Sequence, residues 1–401
     1  MKATFRTNLI LLSCSLAVAL LIFEICLRIL GIGYPYYDRA DEHTGYSLRP
    51  HAAGWQTQEG STYFSINSDG IRGKERTKEK PENTYRIAVL GDSMTEGRQV
   101  DEDETFVDLV EQELAHCPAL SGKNIEALNF GVAGYSTTQA LMMLRHKAWD
   151  FDPDYVLLTV FTSNDLSDNS PDLGKSEQKP YLTLENGELV LDTSFRKSKW
   201  FRTQNSVIGK SLHYVINRSQ VLQVLNQARR RLTGMLRPPK ATKKASHKTG
   251  EGEELGLDNP VTFRPPPEPL WQEAWELTEA IIKQMDREVK EHGKRFAFAT
   301  SSTSIQVYPD RAERQRFIDY LQQPDLFYDE KRLAAYALQN GMTFFPLIAS
   351  LQNYVDEHQV YLHGFENTTI GRGHWNEEGH KQVSILLAEK LCGSLSQATI
   401  R

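Results

Sequence analysis

The sequence predicts an α/β domain of three layers, a five-stranded parallel sheet with helices on both faces, behind one N-terminal transmembrane helix. Three observations carry this expectation. Short apolar runs recur from Tyr85 onward with stretches of helical periodicity between them, the pattern of parallel strands covered on both faces. The first three runs lead directly into turns holding a serine, glycines and an asparagine, at the carboxyl edge where open α/β sheets bind ligands. Leu9 to Phe23 carries no charge and follows Lys2 and Arg6.

With 401 residues, 40% hydrophobic and 24% charged, the chain can bury a sizeable core, which excludes disorder for most of it. The net charge of −6 is uneven. Residues 1–33 hold Lys2, Arg6 and Arg28 against Glu24 alone, leaving −8 for the remainder and no case for a general nucleic-acid binder. Cys14, Cys26, Cys117 and Cys392 form no Cys-x-x-Cys pair and no cluster with histidine, so neither a metal site nor a disulfide-dense scaffold is expected.

Taken in order, residues 1–33 read as a cytoplasmic tip and signal-anchor. The apolar run extends through Ile25–Ile32, about 30 Å of helix and enough to cross a bilayer. Basic residues before the run place the short N-terminus inside and the rest outside, with Glu24 and Arg28 spaced to pair near the outer interface. Ala17-Val18-Ala19 resembles a signal-peptidase site, which would release a secreted form, but the run stays apolar beyond it. Leu11-Leu12-Ser13-Cys14 resembles a lipoprotein box with too short an apolar region before it.

Residues 34–82 are aromatic and turn-rich, with alternation over Thr62–Ile66, and predict an extended arm with a small ribbon. The main domain is expected over 83–396, with strands at Arg86–Leu90, Ile125–Asn129, Tyr155–Phe161, Arg295–Thr300 and Met342–Pro346. Helical spacing recurs in Phe106, Val107, Val110 and Leu114, in Trp271 to Met285, and in Val383 to Leu391. An insertion at about 166–269 interrupts the rhythm. Inside it a mobile basic loop is expected over about 229–256, because Arg229–Lys248 holds eight Lys/Arg and no acidic residue. A solvated face and contact with an anionic membrane or polymer both fit that run.

The chemistry lies at the ends of the runs. Leu90 is followed by Gly91-Asp92-Ser93, which sets Ser93 as a nucleophile at the sheet edge with its own N–H beside it. The second strand leads into Asn129-Phe130-Gly131-Val132-Ala133-Gly134, the third into Thr162-Ser163-Asn164-Asp165; a glycine N–H and a neutral amide there can face a developing oxyanion. Asp165 is expected to brace its loop. His374, before the last helix, can take a proton from Ser93, while His380 fits a structural role. Tyr135 and Trp375 adjoin the site and fit either sugar stacking or packing.

Serine, glycine, asparagine and histidine in this order, over Tyr85 to Leu391, resemble the SGNH (GDSL-type) hydrolase family. The anchor with Glu24 and Arg28, and Asn67-Ser68-Asp69-Gly70-Ile71-Arg72, resemble its bacterial membrane-anchored members. The resemblance implies a flavodoxin-like sheet of order 2-1-3-4-5 and a serine esterase. It implies Ser93 as nucleophile, His374 as base, an oxyanion hole of Ser93, Gly134 and Asn164, and no metal or organic cofactor.

Two departures stand out. Thr162 replaces the glycine that usually opens the third block, and Gly371 occupies the place of the aspartate in Asp-x-x-His. A backbone carbonyl, or a carboxylate such as Glu366 or Asp356, would then hold the imidazole; otherwise the enzyme is impaired.

The expected function is extracytoplasmic ester hydrolysis, with O-acetyl groups on a glycan as a fitting substrate. Acyl transfer to a surface polysaccharide and a catalytically impaired glycan-binding protein are the alternatives. In the sheet order that the family implies, the first and last helices lie side by side, so Cys117 and Cys392 are expected to form a disulfide.

Overall fold

The computed structural model describes residues 2–236, 260–266 and 268–398. A single helix, Lys2–Ile29, leads the chain, and its Phe5–Ile29 portion has mean hydropathy 2.6 with none of its apolar window buried. Length and composition therefore permit it to cross a membrane.

The arm folds as two antiparallel hairpins, β1 (Asp38–Asp41) with β2 (Gly45–Leu48) and β3 (Ala53–Gln56) with β4 (Thr62–Ser65). Alternation in β4 sends Thr62 and Phe64 inward while Tyr63 is exposed, as the two-residue period of a strand requires. The Asn67-to-Arg72 segment then makes a tight turn: Asn67 Oδ1 accepts from the N–H groups of Asp69 and Ile71. The buried Arg72 guanidinium donates to the carbonyls of Glu96, Gly97 and Val100. An otherwise isolated motif thereby clamps the backbone just past Ser93.

The main sheet comprises β5 (Thr84–Leu90), β6 (Asn124–Asn129), β7 (Tyr155–Val160), β10 (Arg295–Thr300) and β11 (Phe344–Phe345), all parallel, in the order β11-β10-β7-β5-β6. Counted along the chain this is the order 2-1-3-4-5. Ile87, Val89, Leu157, Ala297 and Ala299 face one buried layer with the helices Phe106–Leu114, Ile348–His358 and Glu377–Ala398. Ala88, Leu90, Leu158, Phe296 and Phe298 face the other, with Thr137–His146 and Pro269–Glu291. Strands buried on both faces have no polar side, which is why they read as unbroken apolar runs.

The last strand is shorter than Met342–Pro346, because only Phe344 and Phe345 pair with β10. Phe161 lies past the end of β7 and caps the next helix, Thr162–Asn169. Between β7 and Pro269–Glu291 the chain builds a third hairpin, β8 (Tyr181–Glu185) with β9 (Glu188–Asp192), and the helices Lys199–Asn205, Val207–Arg218 and Gln220–Leu236. The expected loop at 229–256 is corrected at its start, where residues 229–236 continue that last helix; 237–256 lies outside the described residues.

Helices Phe106–Leu114 and Glu377–Ala398 pack side by side, and Cys117 and Cys392 are joined with their Cα atoms 5.6 Å apart. The bridge sits at the end of the first helix but within the last one, which runs six residues further to Ala398.

Candidate active site

Ser93 begins a single helical turn, Ser93–Glu96, placed directly beyond β5. Asp92 caps that turn: its Oδ1 accepts from the Met94 N–H at 2.9 Å, as carboxylates at helix N-termini do. Gly91 has no room for a side chain, since a Cβ would fall inside the hydroxyls of Thr95 and Thr159. The chain can therefore turn sharply there only without one.

Gly134 follows β6 with φ +77°, a backbone conformation that favours glycine, and is exposed at the sheet edge. Asn129 fixes the loop before it, accepting from Gly131 N–H at 2.9 Å and donating to the Thr95 carbonyl at 2.8 Å. Asn164 lies in the helix Thr162–Asn169 after β7, and its Nδ2 donates to Asp92 Oδ2 at 3.1 Å. A side-chain amide has two N–H bonds, so a second remains for another acceptor. Burial pushes the Asp92 carboxyl up, against the opposing effect of the Met94 and Asn164 hydrogen bonds.

Asp165 braces its loop by accepting from Phe161 N–H at 2.8 Å, and burial beside Asp92 holds its carboxyl well above the usual range. Thr162 is buried and donates to Asp329 Oδ2 at 2.7 Å. Burial pushes Asp329 up to about 7.

His374 reaches Ser93 from across the edge, Nε2 to Oγ 2.9 Å. Its other nitrogen, Nδ1, lies 2.5 Å from Glu59 Oε2, and its backbone N–H donates to Glu59 Oε1 at 2.8 Å. Glu59 stands at the turn between β3 and β4, in the arm and not in the loop before the histidine. Burial alone would raise its carboxyl, but the side-chain and backbone hydrogen bonds and the charge of His374 bring it below the ordinary value.

The acids first expected beside the histidine stand elsewhere. Asp356 is held by Arg311 at 3.0 Å and by Arg314, and Glu366 is exposed. Nor does a backbone carbonyl occupy Nδ1.

The missing aspartate also has a physical reason. Gly371 adopts φ +81°, and a Cβ there would lie 2.6 Å from the Tyr308 ring and 2.9 Å from that of Tyr361, so this loop has no space for a side chain. Gly373, at φ +85°, is the complement: a Cβ would fall inside Glu59 Oε1. Asn367 ties the two segments together, donating to the Gly60 carbonyl at 2.7 Å and accepting from the Gly60 N–H at 3.0 Å.

His363 supports the histidine loop from below, with Nδ1 2.7 Å from the Gly373 carbonyl and Nε2 3.1 Å from Ser302 Oγ; burial lowers it to about 4. His380 is buried against Phe106, whose N–H it accepts at 3.2 Å, and burial lowers it to about 3. Trp375 and Tyr135 are packing residues, 1% and 0% exposed, and offer no face to a sugar. Among the described residues no cluster of metal-ligating side chains occurs.

Glu59 had no local signature, being one acid among 52 and 315 residues from its partner. A trace in the sequence is Gly373, whose missing side chain leaves room for the Glu59 carboxylate.

No family model and no curated protein matches the chain. Among solved structures it is similar to LAE5, an alpha/beta hydrolase enzyme from the metagenome of Lake Arreo, at 14% identity and TM-score 0.36, over 78% of this chain and 96% of that one. It is similar also to Axe2, an acetylxylan esterase from Geobacillus stearothermophilus, at 10% identity and TM-score 0.36 with the same coverage. The acetyl xylan esterase AlAXEase gives 12% identity and TM-score 0.34, over 77% of this chain and 98% of that one. These likenesses are too remote to carry the chemistry, which rests on the side chains described above.

Proposed function

We propose that the chain is an SGNH-type serine esterase, anchored by its N-terminal helix with the α/β domain on the extracytoplasmic side. One observation carries the reading: Glu59, His374 and Ser93 form a continuous line of hydrogen bonds, 2.5 and 2.9 Å long, at the carboxyl edge of a parallel sheet.

Ser93 Oγ attacks the ester carbonyl while His374 Nε2 takes its proton, and Glu59 fixes the tautomer and stabilises the imidazolium. We assign the Ser93 N–H, the Gly134 N–H and Asn164 Nδ2 as the donors that receive the oxyanion. The intermediate collapses as His374 returns the proton to the departing alcohol oxygen. Water, deprotonated by His374, then cleaves the acyl-serine and releases the acid.

Glu59 removes the ground for an impaired, merely glycan-binding protein, since that alternative rested on a histidine without a carboxylate. Disulfide formation between Cys117 and Cys392 suits an oxidising compartment. An O-acylated glycan is the proposed substrate class, with transfer to a polysaccharide hydroxyl differing only in the acceptor that meets the acyl-serine. Labelling by a fluorophosphonate tests the reading: the wild-type chain should label at Ser93 and the Ser93→Ala chain should not. Wild-type protein that stays unlabelled, or an unchanged label in the variant, would overturn it.

A further inference from the structure

The anchor does not merely precede the domain; its outer end is bonded into the insertion. Glu24 accepts from Ser219 Oγ at 2.9 Å and from the N–H groups of Gln220 and Val221 at 3.0 Å each, satisfying free donors at the start of the helix Gln220–Leu236. Arg28 donates to the carbonyl of Arg218, the end of the helix Val207–Arg218, at 2.7 Å. Just beyond, the Tyr34 N–H donates to Gln223 Oε1 and the Tyr36 N–H to Asn217 Oδ1. These contacts hold the junction of the two helices level with the last turns of the apolar span.

The helix Val207–Arg218 is amphipathic in an unusual sense. His213, Ile216 and Asn217 turn inward toward the arm. On the opposite side Val207, Ile208, Leu212 and Val215 form an aliphatic stripe, with exposures of 82%, 81%, 56% and 50%. Four aliphatic side chains in one stripe would normally be covered. Along the flanking chain the charge is of one sign. Thr193 to Arg230 contains eight Lys/Arg and no acidic residue, although the chain as a whole is negative. Lys199, Arg202, Lys210 and Arg218 among these are exposed. Trp55 and Tyr63, 46% and 53% exposed, lie near the anchor's end, with Trp55 beside Gly31; such aromatics are enriched at membrane–water interfaces.

We infer that the helix Val207–Arg218 lies on the anionic surface of the membrane that the anchor crosses, with its aliphatic stripe in the headgroup and acyl boundary and its lysines and arginines on lipid phosphates. Apolar burial and charge attraction act together in such interfacial helices, and the Glu24 and Arg28 contacts bring this one to the membrane at no cost in association entropy. The inference rests on reading Phe5–Ile29 as a retained anchor.

A quenching experiment on the full chain tests both and separates them. With Cys14 and Cys26 changed to serine, an environment-sensitive dye is attached in turn at Leu16→Cys in the anchor, Ile208→Cys on the stripe and Leu338→Cys, an exposed leucine of the helix Tyr328–Asn340. The protein is reconstituted in phosphatidylcholine vesicles with and without phosphatidylglycerol, carrying a shallow doxyl-lipid quencher. Quenching at Ile208 should exceed that at Leu338 by roughly twofold or more, as an interfacial depth requires. It should rise with phosphatidylglycerol, and Lys199→Glu/Arg202→Glu/Lys210→Glu should abolish that rise. If Leu16 is quenched while Ile208 matches Leu338, the inference falls and the anchor stands; if Leu16 itself is unquenched, the anchor reading falls. Quenching at Ile208 that ignores the anionic lipid, or dye self-quenching showing that a second copy covers the stripe, also overturns it.

Discussion

The loops at the edge of the sheet and the β3–β4 hairpin both deliver groups to one site, yet they are built differently. Ser93 and Gly134 stand on short turns and Asn164 in a helix, each directly behind a buried strand, with hydrogen bonds to Asp92 and of Asn129 fixing the loops inside the domain. Glu59 stands at the tip of a two-stranded ribbon, a structure that has little stability by itself. It is held by Phe64, which is fully buried, and by the clamp of Asn367 on Gly60. The difference teaches that the proposed nucleophile and oxyanion donors are products of the fold, whereas the proposed acid is a product of docking.

Four variants sharpen or break that contrast. Ser93→Ala should lower turnover of a short-chain aryl ester by about 10⁶-fold and Glu59→Gln by about 10³ to 10⁴-fold, the ratio expected between a nucleophile and the group that orients its base. A Glu59→Gln protein within tenfold of wild type would mean that the hairpin only covers the site.

Gly373→Ala acts on the docking alone. The methyl group displaces the Glu59 carboxylate and meets a positive φ, so turnover should fall by about a hundredfold, the cost of an ångström-scale misplacement. Fluorophosphonate labelling of Ser93 should slow but persist. Unchanged turnover would show that Glu59 reaches His374 by another path.

Cys117→Ser/Cys392→Ser should do the reverse, affecting the frame and sparing the chemistry. A bridge across 275 residues contributes on the order of 2–5 kcal/mol to stability by chain-entropy reasoning, read as a lower denaturation midpoint. At temperatures where the variant stays folded, kcat should remain near wild type. A large fall in kcat without a change in stability would place the bridge in the active site's support.

The same contrast governs how much the sequence disclosed. Strands buried on both sides announce themselves as apolar runs, and β5, β6, β7 and β10 fall within one or two residues of their expected places, while the order of the sheet is the one the family resemblance implies. The residues at their ends could be named because the turn follows the strand in the chain. Glu59 could not be, because no periodicity or spacing joins a hairpin tip to a loop 315 residues later. Gly371 signalled that the usual acid was missing, without indicating where its replacement lay. The order of the insertion was hidden for a related reason: its helices pack on the N-terminal helix and the arm, not on the sheet that sets the rhythm of the chain.

The position of Glu59 also bears on synthesis. A growing chain contains Glu59 and Ser93 long before His374, which meets Ser93 across 281 residues. Until then the serine has no base, the hairpin has no Asn367 to seat it, and Cys117 has no partner. A polypeptide made only as far as residue 366 therefore lacks the proposed base, the seat of the hairpin and the partner of Cys117 alike, a timing set by where the groups fall along the chain.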